Sequence, residues 1–179
     1  LADAESTLAE DLAGARMHTG FVADTLPYFA PGMNFTRGFW QWEFIRGKQQ
    51  DRWKSVWAAD PDRVATTRGA DPPDNPYNMP RYHIANTDGR MTREDCCTGR
   101  SFRTAIDFIR DNRDVPFYLL VDVFDPHEPW EAPREFYELY RDVEIPEWPN
   151  YRWPAPVINR PHQVKIHPQA EALTWQDWA

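Results

Sequence analysis

Apolar residues along this chain fall into short runs separated by proline-rich loops, and the spacing within each run predicts its element. Residues 5–16, ESTLAEDLAGAR, place Leu8 and Leu12 at i, i+4, with acids in the first turn and Ser6 or Thr7 as cap, which predicts a helix. HTGFVADT (18–25) is a β-favouring run ending in Asp24-Thr25. Residues 26–39 are punctuated by Pro and Gly and predict loop, while WQWEFIRGKQQDRWKSVW (40–57) is aromatic and charged, part helical, without a clean period. Residues 60–100 are loop-dominated, so 26–100 reads as one long insertion.

Helical spacing returns at SFRTAIDFIRDN (101–112), with Phe102, Ala105, Ile106 and Ile109 on one face and Ser101 as cap. VPFYLLVDVF (115–124) is a continuous apolar run of strand length, predicted to be buried on both faces. APREFYELYRD (132–142) predicts a short helix, and 143–179 is an extended segment rich in Pro and Trp. Strands alternating with helices imply an α/β fold, with a largely parallel or mixed sheet flanked by helices.

Composition narrows the class. The chain holds 9 Trp and 17 Pro against 8 Gly, a mix that suits the stiff loops of a large enzyme better than a bundle or a disordered tail. It opens at Leu1 inside a helical pattern, from which a fragment of a longer protein is expected, with any leader sequence and hence the compartment left open. A formal net charge of −8 with scattered basic residues argues against nucleic acid as partner. No apolar run approaches the ~20 residues of a helical membrane span, so a membrane partner is not expected. The two cysteines, Cys96 and Cys97, are adjacent, which excludes a disulfide framework and zinc spacing.

In open α/β sheets ligands bind beyond the carboxyl ends of the strands. Both strands read from the sequence place polar residues there: Asp24 and Thr25 on one, Asp125 and His127 on the other. His127, between Pro126 and Pro129, is the sharpest candidate, because a stiffly held imidazole can donate to an anionic oxygen or pass a proton near neutral pH. The bland alternative is a surface turn. Asn86, Asp88 and Gly89 read as a turn, and Asp122 as a group hydrogen-bonded within the sheet. Arg37, Glu43 and Arg46 read as an ion-paired corner with Trp40 and Trp42 packed beneath, or as part of a substrate cleft. His18 opens the first strand at the far end, and His83, His162 and His167 show no partner in the sequence.

The blocks TLAEDLAGARMHTGFVADT, PGMNFTRGFWQWEFIRG and FRTAIDFIRDNRDVPFYLLVDVFDPHEPWEAPREFYELY together resemble the sulfatases of the alkaline-phosphatase superfamily, over about residues 5–142. The resemblance implies a partial catalytic domain at 1–142, an alkaline-phosphatase-like fold and hydrolysis of a sulfate ester, on a small molecule or a carbohydrate. It also implies a Ca²⁺ ion and a formylglycine made from a Cys-x-Pro-x-Arg cysteine. By position His127 matches the family histidine that binds sulfate beside the leaving oxygen, with Asp24, Thr25 and Asp125 as substrate-side residues.

Departures from the family pattern are explicit. Leu26-Pro27 stands where relatives carry Pro-His, and the nucleophile and metal ligands are expected outside these 179 residues, in the remainder of the same domain. Cys96-Cys97-Thr98-Gly99-Arg100 has the Cys-to-Arg spacing of the nucleophile motif but Thr98 in place of its proline, and reads as a loop entering a helix. A phosphoester or phosphonate hydrolase of the same superfamily, or an inactive member with a binding role, are the alternatives.

Overall fold

The computed structural model describes residues 5–48, 51–66, 79–90, 92–127 and 133–139. The described elements run α1 (Leu8–Gly14), β1 (His18–Ala23), β2 (Gln41–Phe44), α2 (Pro61–Thr66), α3 (Met79–Thr87), α4 (Cys97–Asp111), β3 (Phe117–Asp122) and α5 (Arg134–Leu139). Three parallel strands form one sheet in the order β2-β1-β3. An α/β architecture with a parallel sheet is thus present. The segment 143–179, with His162 and His167, lies outside the described residues.

Thr7 caps α1 in a capping box: Glu10 N–H donates to Thr7 Oγ1 at 3.2 Å and Thr7 N–H to Glu10 Oε2 at 2.8 Å. The buried residue of α1 is Ala9, whereas Leu8 of the expected apolar pair is exposed. β1 is the central strand and holds the core, with Thr19 to Ala23 all buried. Its alternating side chains face two different layers.

On one face Phe21 stacks with Phe29 (5.5 Å between ring centres) and Phe39 (5.1 Å), while Phe29 stacks on Phe44 of β2 at 4.6 Å. This aromatic layer is the cover for that face, built from the Pro- and Gly-rich loop after β1. On the other face Val22 packs with Ile45, Cys97 and Leu119, and Gly20 meets α4. A β-carbon on Gly20 would lie 2.4 Å from Phe108 Cε2, so only glycine lets the helix settle this close.

Several elements differ from the sequence reading. β2 lies inside the expected insertion, together with α2 and α3, so 26–100 is not one structureless loop. Its four residues are mostly exposed, and Trp40 and Trp42 stand out from the surface instead of packing beneath an ion-paired corner. Arg37 pairs with Glu10 at 3.0 Å and Arg46 with Asp51 at 2.7 Å, neither with Glu43.

α4 starts four residues before Ser101: Cys96 is the cap, accepting from Gly99 N–H, and Ser101 is buried with its hydroxyl donating to Cys97 O at 3.0 Å. The face against the sheet is Cys97, Ser101, Ala105 and Phe108, while Phe102 is 51% exposed and Ile106 and Ile109 also face outward. Small residues there allow close helix–sheet contact, which outweighs the larger apolar area of the other face. β3 is only half-buried, because it is an outer strand of the described sheet.

The Gly20 contact yields a direct prediction. Gly20→Ala should destabilise the fold by about 1–3 kcal/mol, since the Phe108 ring must leave its packed position. Urea unfolding checks it, and an unchanged midpoint would show that the helix is not seated on Gly20.

Candidate functional site

The carboxyl ends of all three strands converge, and each delivers polar side chains. β1 ends in Asp24-Thr25, β2 runs through Ile45 to Arg46-Gly47-Lys48, and β3 runs into Phe124-Asp125-Pro126-His127. Lys48 is 2% exposed, and its ammonium donates to Asp125 Oδ1, tying the end of β2 to the end of β3 across β1. The other Asp125 oxygen accepts from Thr98 Oγ1, in the first turn of α4, at 2.5 Å. That helix start also favours a negative charge beside it.

Asp24 makes the matching bond between β1 and β3. It is 1% exposed, and its Oδ1 accepts from the Phe124 N–H at 2.7 Å, while Oδ2 has no hydrogen-bond partner among the described residues. Burial pushes its carboxyl above the ordinary aspartate value. The Phe124 hydrogen bond and the Lys48 charge pull the other way, and Asp125 and Asp122 add to the rise. Thr25 donates to Asp122 Oδ1 at 3.0 Å. Asp24 and Thr25 are therefore engaged in fastening strand ends to one another.

His127 alone of the four predicted residues stands on the surface. Its N–H donates to Phe124 O at 3.0 Å, and its ring lies 4.3 Å from the Phe124 ring. The arrangement is thus a surface imidazole set on a corner whose footing is a buried lysine paired with the part-exposed Asp125, and the buried Asp24.

Lys48 escaped the sequence reading. Its signal was the strand before it: once QWEF is a strand, F-I-R-G-K becomes a third strand end with a cation. His83 is a second such case. It is buried in α3, and burial together with Lys48, Arg63 and Arg90 depresses it to about 3, which keeps the ring neutral at pH 7.

The cysteines do not fit the implied nucleophile. Cys96 is the helix cap, and Cys97 is a buried core residue whose thiol is pushed up by burial. Among the described residues, no group of three or more His, Cys, Asp or Glu side chains is placed to hold a metal ion, and the resemblance puts the Ca²⁺ ligands outside these 179 residues. Asp24, Asp122 and Asp125 are each committed to the bonds above. Among the described residues no helix is long and apolar enough to cross a membrane. No family model, curated protein or solved structure matches the chain.

Asp24 carries a pH prediction. With its folded pKa raised, its ionisation opposes folding at neutral pH and ceases to do so below the unfolded value near 3.8. Asp24→Asn keeps the acceptor for Phe124 N–H, so it should raise Tm by on the order of a few degrees at pH 7. The gain should vanish toward pH 3.8. A thermal melt series over pH 3.5–8 checks this, and a lower Tm at pH 7 would show that the charge of Asp24 stabilises the fold.

Proposed function

We propose that this chain is a segment of a sulfuric ester hydrolase, and that His127 faces the sulfate group. The supporting observation is that three parallel strands carry Asp24, Lys48 and Asp125–His127 to the same edge of the sheet, with the imidazole outermost. Charge develops on the leaving oxygen when a sulfate ester is cleaved, and a donor held there before the reaction lowers the barrier without reorganising. His127 supplies such a donor. Asp24, Lys48, Asp125 and Thr98 act one step back: they hold the corner on which it stands. Nucleophile and metal come from the rest of the same catalytic domain.

Lys48 also shapes the charge of the edge. Two carboxylates, Asp24 and Asp125, act on this single buried ammonium, so its charge is largely spent inside the fold. An anion at the edge is then met by His127 and not by Lys48.

Turnover of 4-nitrophenyl sulfate tests the reading. Residues 1–179 alone with added Ca²⁺ should show none. The longer polypeptide that includes them should hydrolyse the ester, and His127→Ala should lower kcat/KM by about 100-fold or more. Turnover by residues 1–179 would contradict the segment assignment, and preference for 4-nitrophenyl phosphate would contradict the sulfate assignment.

A further inference from the structure

We propose that Arg90, Arg100 and Trp53 form an anion subsite that takes a sulfated sugar. Both guanidinium groups donate to one acceptor, the carbonyl oxygen of Arg46, at 3.2 Å and 3.0 Å. Both also lie over one ring, with their central carbons 5.4 Å and 5.8 Å from the centre of Trp53. Neither forms an ion pair with a carboxylate among the described residues. Arg46 itself is neutralised by Asp51, through two bonds of 2.8 Å and 2.7 Å. Arg100 is held below its ordinary value by burial and by Arg90 and Arg103, with Cys97 and Glu43 offsetting part of this.

Two half-buried like charges on a shared neutral acceptor repel each other, and a tetrahedral oxoanion between them removes that repulsion. The planar fork of arginine matches the oxygens of such a group. Gly47 is part of the construction: its backbone is left-handed (φ +105°), and a β-carbon there would lie 2.7 Å from Arg90 Nη2. Only glycine lets Arg90 reach the Arg46 carbonyl.

Trp53 supplies the surface for a ring. It is 41% exposed, and Lys54 adds a third cation 5.4 Å from the ring centre. The corner follows β2 directly and adjoins the strand-end cluster, since Arg90 and Lys48 both act on His83 and Cys97. The anion subsite stands on these contacts alone; the choice of a sulfated sugar as its occupant rests on the sulfatase reading.

Binding, not turnover, separates the two. Residues 1–179 should bind a heparin-derived sulfated disaccharide saturably, read by tryptophan fluorescence and calorimetry, and should not bind the unsulfated disaccharide. Inorganic sulfate should compete weakly. Arg100→Gln should weaken binding about tenfold, the scale of one charge-assisted bond, and Arg100→Lys should restore only part of it. Trp53→Ala should weaken the disaccharide more than inorganic sulfate.

The subsite is overturned if residues 1–179 fail to bind, if both disaccharides bind equally, or if Arg100→Gln with an unchanged melt binds like the parent. Should Arg100→Gln unfold, the difference between the two disaccharides on the parent chain still decides. Sulfate ester turnover by the longer polypeptide without disaccharide binding would defeat the subsite and leave the sulfatase reading standing.

Discussion

The contact between Lys48 and Asp125 is the constraint on which the strand-end corner depends. It joins two outer strands of the described sheet that share no ladder with each other, since β1 lies between them. An ammonium taken out of water needs compensation, and here the Asp125 carboxylate beyond β3 provides it directly, with the charge of Asp24 at the end of β1 acting from farther away. Thr98 adds the start of α4 to the same junction through Asp125. One cation thus gathers three strand ends and a helix, and the position of His127 follows from that gathering. Burying an ion pair is seldom the most stable solution for a core, which makes its use here an issue of geometry: it fixes where the loop after β3 departs.

The two faces of the sheet solve different problems. The aromatic face is thick and is covered by the loop after β1, where Phe29 and Phe39 sit on Phe21. The α4 face is thin, with Gly20 opposed to Phe108 and with Ser101 and Ala105 in the helix stripe. Close approach on the thin side brings the first turn of α4 to the carboxyl edge, which is how Thr98 reaches Asp125. Packing and site are therefore linked through residues that carry no chemistry of their own.

Parts of this were legible in the sequence for clear reasons. β1 and β3 are apolar runs of strand length, and their polar ends mark the binding edge in any parallel sheet. The cap of α1 was legible because Thr7 and Glu10 have capping-box spacing. β2 was not: a four-residue strand with exposed Trp42 and Glu43 lacks the buried alternation that announces a strand, and its place is set by pairing with β1. Losing β2 meant losing Lys48. The face of α4 was misjudged, since Phe102, Ile106 and Ile109 stay outside, whereas Cys97, Ser101, Ala105 and Phe108 go in. Sequence periodicity locates a helix, but its rotation against a sheet is decided by which side chains let the backbones approach.

A double-mutant cycle on Lys48 and Asp125, with Lys48→Met, Asp125→Asn and the pair followed by urea unfolding, tests the central claim most directly. Asp125→Asn should cost about 3 kcal/mol, because it leaves the buried Lys48 ammonium without its counter-charge, and Lys48→Met should cost less, because the Asp125 carboxylate it leaves is part exposed. The double variant should cost clearly less than the sum, with a coupling of about 1.5 kcal/mol or more. Additivity within about 0.5 kcal/mol would contradict the account, since the strand ends would then be held together without this pair.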